Sequence, residues 1–354
     1  MSLIYAFRPP TILITGGYGF IGKAVIRLLL DESDCRLVNL DSLTPESAVV
    51  AHGSLIPKGR YSFIEGDIAD SDLVEAVFKK FKPDVIINLA AETHVDRSIT
   101  DPSSFVRSNV HGTFCLLEAA RRFSRVKPNI RFHQVSTDEV FGSLPPDAGP
   151  VDEGARYDPS SPYSATKACA DHLVRAWGKT YGLDIVISHS SNNYGPFQFP
   201  EKLIPRVISC ALEGKAIPIF GDGKQIREWL YVDDHARAIA AVVDRGESGS
   251  SYNIGSGELW SNIDLVRQIC ARLELLAPSC RPSGGYESLL TRVGDRPAHD
   301  QKYALDSTKI RRELRWEPRH ALGTALTTTV RWYVDQTHEP ATRRAISAAE
   351  LRPQ

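Results

Sequence analysis

Short apolar runs alternate with longer amphipathic stretches through the first half of the chain. Thr11–Thr15 and residues 37–40 are rich in the aliphatic side chains of buried parallel strands, and a helical pattern ending at Leu30 separates them. The alternation continues with predicted strands over 61–64, 84–89, 130–135 and 184–188 and predicted helices over about 70–81, 102–123 and 162–181. This order predicts an α/β fold built on a doubly wound parallel Rossmann sheet.

The alternation becomes less regular after residue 196. The pattern there predicts helices over about 200–213, 234–244, 262–274, 306–314 and 323–336, and strands over 217–220, 228–232 and 252–254. We expect a smaller C-terminal lobe, with part of this region returning to the first sheet. The first domain is expected to span 1–193 plus about 228–255, the second about 194–227 plus 256–337, and a tail 338–354.

Composition narrows the class of protein. The 354 residues are 42% hydrophobic, enough for a full core, and the net charge of −1 gives no reason to expect nucleic acid or an anionic membrane as a partner. Six scattered cysteines include no Cys-x-x-Cys pair, and no run reaches eighteen apolar residues. We therefore expect a cytoplasmic protein with no structural metal and no membrane span.

A glycine-rich turn follows the first predicted strand. Gly17, Gly19 and Gly22 form Gly-x-Gly-x-x-Gly directly before a helix, where a backbone without side chains allows a pyrophosphate to approach the helix N-terminus. Asp41 ends the next strand, nineteen residues after Gly22, where a carboxylate accepts ribose hydroxyls and repels a 2′-phosphate. The alternative is a simple turn with a surface aspartate. The context favours bound NAD over NADP.

The ends of two further strands extend this predicted site. Leu89, Ala90 and Ala91 are small or apolar residues that would let a nicotinamide lie near the backbone, and Asp67 and Ile68 fall where the adenine is expected. Small residues at a strand end also serve ordinary helix–sheet packing. The glycine turn decides between these interpretations.

A tyrosine and a lysine four residues apart open the helix predicted over 162–181. Tyr163 and Lys167 share one helix face, and Thr137 ends the strand before them. A Tyr-x-x-x-Lys pair alone is more often an exposed helix face. Beside a nucleotide-binding sheet, Lys167 would favour the phenolate of Tyr163 and make it a base for a substrate hydroxyl.

Two adjacent acids, Asp138 and Glu139, follow Thr137. Once a hydroxyl has been oxidised to a ketone, a glutamate can remove the acidic hydrogen of the next carbon, and a protonated aspartate can donate to a departing hydroxyl. An Asp-Glu pair usually marks a solvated turn. Because neighbours on a strand point to opposite faces, both acids can reach one substrate only if the strand ends or bends here.

With these motifs, the chain resembles the NAD-dependent nucleotide-sugar dehydratases of the extended short-chain dehydrogenase/reductase superfamily over about residues 11–336. Further matching stretches are residues 90–99, 191–196, 199–205, 221–234, 252–255 and 295–297. The resemblance implies NAD that stays bound through turnover, dTDP-glucose as substrate and a homodimer formed through the helices near 102–123 and 162–181. Tyr163 would take the C4 hydroxyl proton, Glu139 would take the C5 proton, and Asp138 would protonate the leaving C6 hydroxyl, which gives a 4-keto-6-deoxy sugar.

The resemblance also implies two sets of contacts. Those to NAD fall on Gly16, Gly19, Phe20, Ile21, Gly22, Asp41, Ser42, Leu43, Thr44, Asp67, Ile68, Leu89, Ala90, Ala91, Ser108, Tyr163, Lys167 and Asn193. Those to substrate, mostly in the second domain, fall on Thr93, Thr137, Asn192, Lys202, Leu203, Pro218, Ile219, Phe220, Arg227, Asn262, Arg296 and His299. Arg227 and Arg296 suit a diphosphate, and Phe220 offers a flat face for a base.

Three features depart from the family pattern. Residues 41–47 read Asp-Ser-Leu-Thr-Pro-Glu-Ser in place of Asp-Lys-Leu-Thr-Tyr-Ala-Gly, Phe220 stands where tyrosine is common, and Ala298 where glycine is usual. The nucleobase of the substrate is therefore open between thymine and uracil. The alternatives are a nucleotide-sugar 4-epimerase, a dehydratase for another sugar such as UDP-glucose, and a catalytically silent NAD-sensing protein.

Overall fold

The computed structural model describes residues 9–43, 59–297 and 299–337. The predicted NAD contact at Thr44, the rest of the altered segment 44–47, Ala298 and the predicted tail 338–354 lie outside the described residues.

A seven-stranded parallel sheet forms the centre of the molecule. Its strands are β1 (Thr11–Thr15), β2 (Arg36–Asp41), β3 (Tyr61–Glu65), β4 (Val85–Asn88), β5 (Arg131–Thr137), β6 (Asp184–Ser190) and β10 (Ser251–Ile254). They lie side by side in the order β3-β2-β1-β4-β5-β6-β10. The chain order reverses between β1 and β4, and in doubly wound folds ligands bind beyond the carboxyl ends of the strands at that point. The predicted fold class is confirmed.

Helices cover both faces of this sheet. They are α1 (Phe20–Glu32), α2 (Ser71–Phe81), α3 (Val95–Thr100), α4 (Pro102–Phe105), α5 (Thr113–Ser124), α6 (Pro162–Tyr181) and α8 (Val232–Arg245). Leu13 and Ile86 face α2, α5 and α6, whereas Ile12 and Ile14 face α1 and α8. Because both faces are buried, all five residues of β1 are buried, and its three central residues are a continuous apolar run instead of an alternating one.

The later part of the chain contributes four more helices, and five strands that do not belong to the seven-stranded sheet. They are α7 (Leu203–Leu212), α9 (Asn262–Leu276), α10 (Thr308–Leu314) and α11 (Leu322–Thr337), with β7 (Asn192–Tyr194), β8 (Ile217–Phe220), β9 (Ile226–Tyr231), β11 (Leu259–Ser261) and β12 (Leu290–Val293). β9 pairs with β7 and β11, and β8 pairs with β12. A separate core that includes Ile208, Ile269 and Leu326 joins α7, α9 and α11.

The structure corrects several predicted elements. The helix expected over 102–123 is three consecutive segments, with a π-helical stretch at Val106–Gly112 between α4 and α5. α3, β7, β11 and β12 were not predicted. β9 begins and ends earlier than expected and belongs to a three-stranded sheet, whereas β10 joins the main sheet as expected. The two-domain division of the chain stays a prediction.

Candidate active site

The glycine-rich turn sits at the carboxyl end of β1, next to β4. Gly16 has a φ of +69°, and a Cβ on it would lie 2.7 Å from the backbone of Ala90. A Cβ on Gly22 would lie 2.4 Å from the Gly16 carbonyl oxygen. Gly16 and Gly22 therefore have no room for a side chain, and their bare backbone lies at the N-terminus of α1. This geometry fits a dinucleotide pyrophosphate.

Asp41 closes the same end of β2. One carboxylate oxygen accepts the Tyr18 N–H at 2.8 Å, and the other accepts the Leu43 N–H at 2.9 Å. These bonds fix the carboxylate beside the glycine turn, and each oxygen keeps a lone pair for a ribose hydroxyl. The position fits the predicted role of Asp41 towards NAD.

A cavity of about 310 Å³ runs from this turn to the ends of β4, β5 and β6. Of the predicted NAD contacts, those that line it are Gly16, Gly19, Phe20, Ile21, Gly22, Asp41, Ser42, Asp67, Ile68, Leu89, Ala90, Ala91, Ser108, Tyr163, Lys167 and Asn193. Leu43 does not line this cavity, and its backbone contact to Asp41 is its link to the site. The structure thus brings together the described members of the predicted set, Leu43 apart.

β5 ends directly before the two adjacent acids, Asp138 and Glu139. β5 stops at Thr137, and a 3-10 turn over Asp138–Phe141 follows. The Thr137 hydroxyl accepts the Glu139 N–H at 3.3 Å and donates to Asp138 Oδ1 at 3.1 Å. Because the acids lie on a turn, the opposed directions of strand neighbours do not apply, and both line the same cavity.

Asp138 is buried beside other acids. Burial raises the pKa of its carboxyl well above the usual range, and the charges of Glu139 and Glu228 raise it further. Its Oδ2 has no hydrogen-bond partner among the described residues. This environment favours the protonated carboxyl, the form that donates a proton.

Glu139 has cationic neighbours that Asp138 largely lacks. Burial raises the pKa of Glu139, while the charges of Arg227 and Lys202 lower it. Those cations favour the ionised carboxylate, which is the form that removes a proton. The pKa of both acids is raised overall, but neighbouring acids reinforce the rise at Asp138 and neighbouring cations oppose it at Glu139.

Tyr163 and Lys167 occupy the first turns of α6, which begins at Pro162 after the N-cap residue Ser161. Burial raises the pKa of the Tyr163 phenol, as do Glu139 and Asp138, and the hydrogen bond with the Thr137 side chain lowers it. Burial lowers the pKa of Lys167, whose ammonium donates to the Val135 carbonyl oxygen at 2.7 Å. The protein side chains around Tyr163 thus raise the pKa of its phenol overall. The expectation that Lys167 favours the phenolate of Tyr163 stays a prediction.

A second cavity, of about 240 Å³, adjoins the first. Thr93, Glu139, Asn192 and Lys202 line both. The predicted substrate contacts along the second are Thr93, Asn192, Lys202, Leu203, Pro218, Ile219, Phe220, Arg227, Asn262, Arg296 and His299, and Thr137 lines the first. The whole predicted substrate set therefore borders one continuous space.

The two arginines of the second cavity are held differently. Arg227 is buried, donates to the Ile226 and Asp300 carbonyl oxygens at 2.8 and 2.9 Å, and its guanidinium lies 4.3 Å from the Tyr303 ring centroid. Arg296 pairs with Asp96 at 3.3 Å and lies 5.6 Å from the Phe220 ring centroid. Both guanidinium groups are placed on the cavity wall, as an anionic diphosphate requires.

His299 and Lys202 complete this wall. His299 Nδ1 lies 2.6 Å from Asp295 Oδ1, and burial lowers the pKa of its ring. The Lys202 ammonium donates to the Thr93 carbonyl oxygen at 3.0 Å, and burial lowers its pKa as well.

Several lining residues were not predicted from the sequence. Asp96, Asp300 and Tyr303 line the second cavity, and each contacts a predicted arginine. The segment around Asp300 has no helical or strand period, so the sequence pattern gave no signal. The adjoining Asp295-Arg296-Pro297 stretch was the nearest indication.

Two absences concern the residues described above. Across 9–43, 59–297 and 299–337, no group of three or more His, Cys, Asp or Glu side chains is placed to hold a metal ion. None of the helices within those ranges is long and apolar enough to cross a membrane.

Comparison with known proteins adds to this geometry. The family model for GDP-mannose 4,6 dehydratase matches residues 13–329. The chain is 49% identical over 331 residues to the dTDP-glucose 4,6-dehydratase of Neisseria meningitidis serogroup B, covering 92% of this chain and 93% of the relative. It is 47% identical over 340 residues to that of Shigella flexneri, with the same coverage.

A solved structure agrees. DesIV, a dTDP-glucose 4,6-dehydratase from Streptomyces venezuelae with NAD bound, superposes with a TM-score of 0.83 at 39% identity, covering 94% of this chain and 99% of DesIV. The sequence relationship extends over both cavities and the acid pair between them. The chain belongs to the dTDP-glucose 4,6-dehydratase family of NAD-dependent short-chain dehydrogenase/reductases.

Proposed function

We propose that the chain converts dTDP-glucose to dTDP-4-keto-6-deoxyglucose by oxidation at C4, loss of water across C5 and C6, and reduction at C6. The observation that carries this proposal is the acid pair Asp138 and Glu139 on the turn after β5, at the junction of the two cavities. The carboxyl that favours its proton and the carboxyl whose ionised form is favoured by nearby cationic charges supply the acid and the base that elimination of water needs.

The first chemical step requires a base at the C4 hydroxyl. NAD, held by the glycine turn and Asp41, would supply the hydride acceptor for C4, the hydride donor for C6, and a positive charge that favours ionisation of a nearby phenol. Tyr163 takes the hydroxyl proton, while Thr137, hydrogen-bonded to the same side chain, orients the oxygen. Lys167, held by the Val135 carbonyl, places a cation beside them.

The second step expels water. The C4 ketone acidifies the hydrogen at C5, which Glu139 removes while Asp138 donates its proton to the departing C6 hydroxyl. Glu139 then returns its proton to C5 as C6 is reduced. Both cavities meet at Glu139, so the sugar would lie there, with its diphosphate towards Arg227 and Arg296.

A 4-epimerase shares the fold, the glycine turn and the Tyr–Lys pair but has no use for a paired acid and base. The relatives named above are dehydratases. The acid pair and this relationship support dehydration over epimerisation.

The deciding experiment is turnover without added NAD. The purified chain is incubated with dTDP-glucose, UDP-glucose, GDP-mannose and CDP-glucose, and products are read by chromatography and by absorbance in alkali. We expect a 4-keto-6-deoxy product, which absorbs strongly in alkali, fastest from dTDP-glucose. Formation of dTDP-galactose would indicate an epimerase, and no conversion of any sugar by NAD-loaded protein would indicate a silent sensor.

The proposal extends to a cytoplasmic homodimer. The face formed by the π-helical stretch, α5 and α6 carries exposed apolar side chains, with Val106 51%, Phe114 38% and Tyr181 51% exposed. We infer that a second copy of the chain covers this face, as the resemblance to the family implies. Five of the cysteines in the described part of the chain (Cys35, Cys115, Cys169, Cys270 and Cys280) are free thiols, which suits a reducing compartment, and recovery outside the cytoplasm on fractionation would contradict that location.

A further inference from the structure

A buried polar cluster lies next to the reacting groups, further along α6 from the cavity that Tyr163 and Lys167 line. Its centre is Asp171, which is fully buried and follows Tyr163 and Lys167 at successive intervals of four residues. These three side chains therefore lie on one face of the helix. The proposed reaction uses Tyr163 and Lys167, and it gives Asp171 no role.

The three helix residues hold three consecutive residues of β5. Tyr163 hydrogen-bonds the Thr137 side chain, and Lys167 donates to the Val135 carbonyl oxygen at 2.7 Å. The Ser136 hydroxyl donates to Asp171 Oδ2 at 2.7 Å. The end of the strand is thus tied to α6 residue by residue, and Asp171 supplies the contact between the other two.

Other groups hold Asp171 from the opposite side. The Tyr157 hydroxyl donates to Asp171 Oδ2 at 3.1 Å, and His189 Nε2 on β6 lies 2.6 Å from that hydroxyl and 3.4 Å from Oδ2. Arg175, one turn further along α6, donates to the Tyr157 hydroxyl at 3.0 Å. Oδ1 of Asp171 is buried and has no hydrogen-bond partner among the described residues. A carboxylate so enclosed exerts its charge through little intervening solvent.

That charge acts on both reacting groups. It raises the pKa of the Lys167 ammonium, against the burial that lowers it. It also raises the pKa of the Tyr163 phenol, together with burial and the charges of Glu139 and Asp138 on the turn. Asp171 is therefore the acid within α6 that faces the pair, while Asp138 and Glu139 face it from the turn after β5.

We propose that Asp171 is a positioning residue of the reaction: its carboxylate holds Ser136, and with it the end of β5, against α6, and its charge keeps Lys167 cationic beside Tyr163. This inference rests on the proposed function, because it assigns Asp171 to the step at the C4 hydroxyl. It adds a determinant of the working pH range that lies outside the substrate and cofactor cavities.

The test is the pH profile of kcat/KM for dTDP-glucose in the NAD-loaded Asp171→Asn variant. Asparagine keeps the shape and removes the charge, so the pKa of Tyr163 and that of Lys167 should both fall. We expect the acidic and alkaline limbs to move to lower pH together, each by roughly one unit. Tyr157→Phe is the matched control, since it removes a bond to the same oxygen and keeps the charge, and its limbs should stay in place.

Ser136→Ala tests the positioning part independently and covers the case in which Asp171→Asn does not fold. We expect kcat to fall about tenfold, which is less than the roughly hundredfold loss that a displacement of about 1 Å can cause. KM and the positions of both limbs of the pH profile should not change. A folded Asp171→Asn protein whose rate falls equally at every pH, or a Ser136→Ala protein with wild-type kcat, would overturn the proposal. If the wild type forms no 4-keto product, the proposed function fails instead.

Discussion

Asp138 and Glu139 are adjacent in the chain but have different neighbours. Asp138 lies against the acids Glu139 and Glu228, whereas Glu139 lies near the cations Arg227 and Lys202. In the proposed reaction, their surroundings therefore give two carboxyl groups of similar intrinsic acidity the roles of acid and base. At this scale the chemistry depends on what lies around each side chain.

Glu139→Gln separates binding from proton removal. The amide keeps the shape of the side chain but cannot accept the C5 proton, so we expect turnover to fall about 10²- to 10⁴-fold with nucleotide affinity retained. Exchange of the C5 hydrogen with deuterated solvent, followed by NMR, measures the step directly. Wild-type exchange in this variant, with calorimetry showing normal binding, would remove Glu139 from the role of base.

Asp138→Asn should stabilise the fold while abolishing dehydration. Because the folded-state pKa of Asp138 is raised, ionisation in the unfolded chain lowers the free energy of unfolding as pH rises above the ordinary value of about 4. The variant avoids this, so its unfolding free energy at pH 7.5 should exceed that of the wild type. Denaturant titrations at several pH values check this.

The gain should shrink as pH falls through about 4 and vanish below it, where the carboxyl is protonated in both states. The exposed acid Glu65 provides the control, since Glu65→Gln should change stability little at any pH. A destabilised Asp138→Asn protein at pH 7.5 would contradict this account of the acid.

Among single residues, sequence reasoning succeeds where a motif fixes the local backbone. Asp41 and the glycines fall beside one cavity because a turn between strand and helix admits few geometries. Asp300 and Tyr303 were missed because their importance comes from a contact to Arg227, seventy-three and seventy-six residues away in the chain. No local pattern records such a contact.

At the scale of elements, α6 connects the redox groups to the sheet. Ser161 and Ser164 form a reciprocal capping box, and Pro162 occupies the first turn. Gly182, with a φ of +70°, ends the helix. These local signals explain why the predicted bounds, 162–181, agree with the observed helix.

Ser161→Ala removes the cap. The Ser164 N–H loses its acceptor at 3.0 Å, so the free energy of unfolding should fall by about 1 kcal/mol. Ser161→Asp, which restores an acceptor, should recover most of that loss. Chemical denaturation of the NAD-loaded protein measures both, and a Ser161→Ala protein as stable as wild type would show that the cap contributes nothing.

Elements without strong local signals were not predicted. β7 and β11 have three residues each and α3 has six, too few for a period to be recognised. The π-helical stretch keeps an apolar spacing close to that of an α-helix, so 102–123 was predicted as one helix. These elements depend on tertiary packing, which a local pattern does not contain.

At the scale of the whole molecule, the apolar face on α5 and α6 is the proposed contact between two copies. Phe114 packs against Trp177, with ring centroids 5.9 Å apart, and remains 38% exposed. Contiguous exposed apolar side chains of this kind are typical of interaction surfaces.

Phe114→Asp should therefore produce monomers. A charge buried at the interface without a partner disfavours association strongly, so we expect light scattering after size-exclusion chromatography to give half the wild-type mass. Leu275→Asp is the matched control, because Leu275 is 81% exposed on α9 and should not alter the mass. A monomeric wild type would contradict the proposed dimer.

The redox pair and the acid pair are carried by separate pieces of backbone. Tyr163 and Lys167 belong to α6, whereas Asp138 and Glu139 belong to a four-residue turn at the end of β5. In the proposed reaction, a substitution in that turn would change the fate of the ketone while leaving α6 and its Tyr–Lys pair in place, and it would reach Tyr163 only through the change in nearby charge.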